Sequence, residues 1–77
     1  MSKVVVFDKQ SPSLKEAQEI VGGYVELVNL NGGDAMLVNE EGLLQELPYN
    51  DKASFLADRF VVGDVCVVKK EIRGEDW

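Results

Sequence analysis

Asn31-Gly32-Gly33-Asp34 separates two apolar-rich runs, YVELVNL before it and AMLVN after it. Asn, Gly and Asp tolerate the positive φ that a tight hairpin turn demands, so Gly32 and Gly33 tie the middle of the chain into an antiparallel pair. A second turn signal follows at Asn39-Glu40-Glu41-Gly42, with Gly42 at a left-handed position and Glu40 and Glu41 facing solvent. The next run, LLQEL, stops at Pro48 and reads as a third strand, completing an antiparallel meander.

The flanks of this meander have helical and strand-like periodicity. KVVVF, residues 3 to 7, is β-branched and reads as a strand buried on both faces. Ser13 and Glu16 have the spacing of a capping box, in which each side chain satisfies a backbone amide at the other's end of the first turn. Leu14, Ala17, Ile20 and Val21 then share one helical face, with Lys15, Gln18 and Glu19 outside. The glycine pair of EIVGGYVELV falls at the end of that helix. Gly22 suits a left-handed C-cap and Gly23 leads into the strand. A phosphate loop requires the reverse order, strand, glycines, helix N-terminus, because the dipole at a helix C-terminus repels anions.

After Pro48, Asn50 or Asp51 can cap a second helix, whose inner face is expected to be Ala53, Leu56, Ala57 and Phe60, with Lys52, Ser54, Asp58 and Arg59 outward. FVVGDVCVVKK is a closing strand broken at Gly63-Asp64, and EIRGEDW, residues 71 to 77, reads as a polar tail beyond an ordered core of about residues 3 to 70. The order β-α-β-β-β-α-β over a single domain, residues 1 to 77, predicts an α+β, two-layer architecture. It has an antiparallel-rich sheet and two short helices on one side. The pattern leaves the pairing partners of the two terminal runs open.

Composition narrows the chemistry. There is no histidine among the 77 residues, which removes the commonest acid–base group and metal ligand and excludes Ser-His and Cys-His nucleophilic systems. Cys66, flanked by valines, reads as a small buried hydrophobe, and one cysteine forms no internal disulfide. Glu40 and Glu41 lack the further oxygen ligands of a calcium loop, and nothing fixes Asp51, Asp58 and Asp64 near one another. No catalytic residue, metal ligand or cofactor site is therefore expected. With 14 acidic and 8 basic side chains, the net charge of −6 opposes direct binding to nucleic acid or anionic membranes. The N-terminal apolar stretch is shorter than a signal peptide's and no segment reaches the ~20 apolar residues of a membrane span, so a cytoplasmic protein is expected.

Two aromatics suggest contact with a partner. Tyr49, at a strand-to-helix corner beside Asn50, reads either as an anchor for a partner or as an aromatic plug in a thin core, the plug being favoured. Trp77 reads as exposed on the tail, where it docks on a partner or is disordered. The valine-rich terminal runs would leave sticky edges, so a homodimer is a further expectation.

EIVGGYVELV, then VNEEGLLQELPYND, then VVGDVCVV resembles the small, mostly phage-encoded family catalogued as domain of unknown function 3846, across residues 14 to 68. The resemblance implies a viral source and carries over no catalytic residue. Its matching positions, Gly22, Gly23, Tyr24, Gly42, Pro48, Asn50, Gly63 and Asp64, are explicable as turns, caps and strand ends. The leading expectation is a non-enzymatic accessory protein that binds an unidentified protein in the host cytoplasm. Two alternatives are a small-ligand-binding domain with a pocket near Tyr49 and Asn50, and an acidic mimic of nucleic acid that inhibits a DNA-handling protein. The interleaving of acids with lysines and apolar residues disfavours the mimic.

Overall fold

The computed structural model describes residues 2–74 and 77. β1 (Val4–Phe7), α1 (Leu14–Val21), β2 (Val25–Asn29), β3 (Ala35–Asn39), α2 (Asp51–Ala57) and β4 (Val65–Val68) follow in that order, and a short 3-10 turn spans Lys70–Ile72. The strands form one mixed sheet in the order β1-β4-β3-β2. β2 and β3 are the expected hairpin, with Leu27 opposite Leu37, and β4 runs antiparallel to β3 with Cys66 opposite Leu37. The two terminal strands pair with each other in parallel, Val4 opposite Val65 through Phe7 opposite Val68. β3 and β4 are central, which is why AMLVN and VCVV are buried throughout, on both faces.

The α+β class and the antiparallel-rich sheet agree with the sequence reading, and several details differ. First, LLQEL is not a strand. Residues 43–47 lie in successive turns held by Gln45 N–H to Glu41 C=O (3.0 Å), Glu46 N–H to Leu43 C=O (3.1 Å) and Leu47 N–H to Gly42 C=O (3.1 Å). Both edges of β3 are already occupied, by β2 and β4, so the next segment cannot continue the meander by pairing with β3.

Second, the helices lie on opposite faces of the sheet. Ala17 of α1 packs with Ala35, Leu37, Cys66 and Val68, whereas Ala53 of α2 packs with the alternate residues Met36, Val38, Val65 and Val67. Third, β1 is an edge strand rather than one buried on both faces, and Val6 is exposed. Fourth, α2 stops at Ala57 because Asp58 turns left-handed at φ 53°. Phe60 thus leaves the helix and, with Leu56, is exposed. Ser54 points inward, its hydroxyl accepting from Val61 N–H (2.8 Å) and donating to Val61 C=O (3.1 Å).

Most local signals form as read. The exception is Gly42, which closes its turn with its N–H on Asn39 C=O (3.2 Å) without the expected left-handed conformation, the positive φ of this stretch falling on Glu46 (55°). Glycine is needed there instead for close approach to Val62, whose Cγ2 would stand 2.7 Å from an added Cβ. Ser13 and Glu16 make the reciprocal capping box, and Gly22 closes α1 at φ 81° with its N–H on Gln18 C=O (2.8 Å). The hairpin turn takes positive φ at Gly32 and Gly33. The expected tail does not describe residues 71–74 and 77. Ile72 and Trp77 pack on the α1 face, Trp77 Nε1 donates to Pro12 C=O (2.9 Å), and Arg73 donates to the Trp77 and Gly33 carbonyls (both 2.8 Å). Met1, Glu75 and Asp76 lie outside the described residues. Among the described residues no helix is long and apolar enough to cross a membrane.

Cys66 sits fully buried in β4, and desolvation, helped by the nearby Glu16 carboxylate, pushes its thiol up to about 11. At pH 8 about a thousandth of such a thiol is thiolate, the reactive form. A disulfide reagent at pH 8 is expected to leave the folded chain almost unlabelled while the unfolded chain reacts completely. Equal labelling rates would contradict its place in the sheet.

Candidate functional site

Only small side chains, Ala53 and Ala57, cover the α2 face of the sheet from the helix, and the stop at Asp58 leaves the part nearest β2 open. The result is a groove of about 390 Å³ whose floor is Val28 and Val38 from the sheet with Val61 and Val62 from the approach to β4. The turn at residues 40–44 forms a wall, and Leu43, Leu44 and Phe60 stand at the groove with 69%, 81% and 63% of their surfaces exposed. Glu26, Glu40, Glu41 and Arg59 add charge to the lining.

The apolar surface continues past Phe60. Its ring stacks on Tyr49, with centroids 5.2 Å apart and planes inclined by 27°, and an adjoining hollow is shared by Tyr49, Phe55 and Phe60. Phe60 borders both depressions and therefore joins Leu43 and Leu44 on one side to Tyr49 and Phe55 on the other.

Two buried asparagines position this surface. Asn39 Nδ2 donates to Val21 C=O (3.0 Å) and Gln45 Oε1 (3.1 Å), while its Oδ1 accepts from Glu41 N–H (2.8 Å). One side chain thus clamps the turn bearing Leu43 and Leu44 to the end of α1. Asn50 Oδ1 caps α2 through Ala53 N–H (3.0 Å), and its Nδ2 donates to the carbonyls of Lys3 (3.1 Å) and Gly63 (2.8 Å). The Asn50 N–H also donates to Val61 C=O (2.9 Å), fixing the segment that carries Phe60.

The same region needs glycine at position 63, where φ is +80° and an added Cβ would stand 2.7 Å from Leu47 Cδ1. The left-handed conformation alone costs a non-glycine residue about 1–2 kcal/mol. Gly63→Ala is expected to lower the denaturant midpoint accordingly, and an unchanged midpoint would contradict the observed backbone.

Among the residues picked out by sequence, Glu40 and Glu41 are exposed on the groove turn. Tyr49 is 55% exposed, which corrects its reading as a core plug: its partner is the Phe60 ring, since the helix ends too early to carry Phe60 into the core. Asn50 is buried with its polar atoms engaged internally, so it positions the surface and lines neither hollow. Trp77 packs on the opposite, α1 face. Asp51 and Asp58 border the Tyr49 hollow, whereas Asp64 accepts from Lys3 N–H (2.7 Å). Among the described residues no three His, Cys, Asp or Glu side chains are grouped to hold a metal ion.

Sequence reasoning missed Leu43, Leu44, Phe55 and Phe60 as surface residues, and Asn39 as a clamp. The adjacent leucines after Gly42, which break strict alternation, were the available signal. An ion pair lies at the hairpin end of β3, away from the 40–44 turn: Lys69 Nζ meets Asp34 Oδ2 at 2.9 Å. That bond, with the Lys70 N–H on Oδ1 (2.8 Å), holds the Asp34 carboxyl below its ordinary range.

In comparisons with known proteins, no curated protein and no solved structure matches the chain. The family model described as Domain of unknown function (DUF3846) matches residues 2–77, extending the resemblance from residues 14 to 68 over nearly the whole length, and the chain belongs to that family.

Proposed function

We propose that this chain is a non-enzymatic protein-binding module and that its contact surface is the groove and aromatic patch centred on Phe60. The observation that carries this reading is the continuity of exposed apolar side chains, Leu43 and Leu44 through Phe60 to Tyr49 and Phe55. Scattered exposed hydrophobics are ordinary, but a contiguous apolar patch with a polar rim is a feature of interaction sites. The buried asparagine clamps support the reading further, since a rigid patch loses less entropy on binding. A cytoplasmic accessory protein of phage type fits this role.

A small-ligand site has weaker support. The largest apolar side chains at the groove face solvent rather than enclosing a volume, whereas a small-molecule site covers most of its ligand. Mimicry of nucleic acid is also less well supported, because beyond the three glutamates of the groove the acids are dispersed among separate hollows: Glu16 beside β1, Glu19 and Asp64 near Gly22, Asp51 and Asp58 near Tyr49.

The test is capture from bacterial lysate by tagged protein, run beside a Phe60→Asp variant whose fold is checked by circular dichroism. A stoichiometric protein retained by the native chain and lost with the variant is the expected result. Equal retention by both, or retention by neither, would overturn the reading for the lysate used.

A further inference from the structure

We infer that the segment received by this groove is an extended, cationic stretch of a partner protein, with apolar residues at alternate positions and lysine or arginine beside them. This rests on the reading of the groove as a protein-binding surface and adds the partner's chemistry. The floor of Val28, Val38, Val61 and Val62 calls for apolar side chains. Glu26, Glu40 and Glu41 line the same groove, and none makes a side-chain hydrogen bond or ion pair among the described residues. Among the described residues of that lining Arg59 is the one basic residue, against three glutamates. A second copy of this chain is a poor occupant: it brings the same net charge of −6 and sets the same glutamates against one another.

The extended conformation follows from the sheet edge. Glu40 N–H donates to Tyr24 C=O (2.8 Å) and Leu30 N–H donates to Asp34 C=O (2.8 Å), so the even-numbered residues of this stretch direct their backbone groups toward β3. By antiparallel alternation Val25, Leu27 and Asn29 direct theirs outward, along the free edge of β2. A strand added there gains main-chain bonds, and every second side chain reaches the face that bears Val28 and the groove.

The experiment is selection of a displayed library of random peptides, about 12 residues long, against the folded chain. The strongest binder is then examined by amide hydrogen exchange and by titration at low and moderate salt. Enriched peptides are expected to alternate apolar residues and to carry at least two lysines or arginines. The Leu27 and Asn29 amides should gain at least about tenfold protection in the complex. Affinity should fall several-fold as salt rises, and at least as much in Glu40→Lys/Glu41→Lys, whose substitutions lie on an exposed turn.

Peptides that occupy the groove without a basic bias, or with apolar residues at helical spacing and no added protection at Leu27 and Asn29, would overturn this inference while leaving the protein-binding reading intact. Failure to enrich any peptide, or binding that Phe60→Asp does not weaken, would overturn both.

Discussion

Replacing Asn50 by alanine is expected to destabilise the fold by about 3 kcal/mol. Loss of the cap on α2 accounts for about 1 kcal/mol. The Lys3 and Gly63 carbonyls lose a buried donor, at about 1 kcal/mol each. For a domain of this size, with total stability on the order of 4–12 kcal/mol, that is a large fraction. Chemical denaturation should show a lower midpoint with an unchanged slope.

Asn50→Asp separates the two roles. The carboxylate can still accept from Ala53 N–H but faces two carbonyls without a donor, so at neutral pH it should be at least as damaging as alanine. Its folded-state pKa would be raised, because protonation restores one donor; stability should therefore recover as pH falls through that raised value. An alanine variant within about 0.5 kcal/mol of the native chain, the range of an ordinary surface substitution, would contradict the assignment of Asn50 as the link between β1, α2 and the approach to β4.

Phe60→Ala addresses binding instead of folding. An exposed aromatic at the centre of an apolar patch has the character of a hot spot, and its truncation is expected to cost about 2 kcal/mol of binding, or roughly 30-fold in Kd. Folding stability should change by no more than about 1 kcal/mol, since the side chain is largely in solvent and loses mainly its stacking on Tyr49. Calorimetric titration with the captured partner reads the first quantity and denaturation the second. Unchanged affinity would remove Phe60 from the interface. Unfolding of the variant would mean that the patch is structural.

The contrast between these substitutions marks how much was legible in the sequence. Caps and turns depend on a few neighbouring residues, so Ser13 with Glu16, Gly22, and Gly32 with Gly33 were readable and form as expected. The pairing of β1 with β4 joins residues about sixty positions apart, and no local pattern encodes it. The fate of LLQEL was equally remote from its own composition: its strand-like residues had no edge of β3 to join once β4 had paired there.

The phase of α2 followed the same logic. Periodicity places Ala53, Leu56 and Phe60 inside and Ser54 outside, but Asn50 is held by carbonyls of Lys3 and Gly63. This anchor, with the left-handed turn at Asp58, keeps Ala53 inward, turns Ser54 inward with it and leaves Leu56 and Phe60 exposed. The groove exists because of those two departures. Leu43, Leu44 and Phe60 were apolar residues assigned to a strand and a helix face, and the tertiary structure left them on the surface. Glu40 and Glu41 read from the sequence as surface charge; that they share a groove with Glu26 follows only from the sheet register, where Glu26 lies opposite Val38.

The most direct test of the central claim is amide chemical-shift mapping of the chain as its captured partner, or the strongest selected peptide, is titrated in. The largest changes are expected on Val28, Leu43, Leu44, Arg59 and Phe60, with Trp77 and α1 little affected. Changes confined to the α1 face or to the β1 edge would contradict that claim.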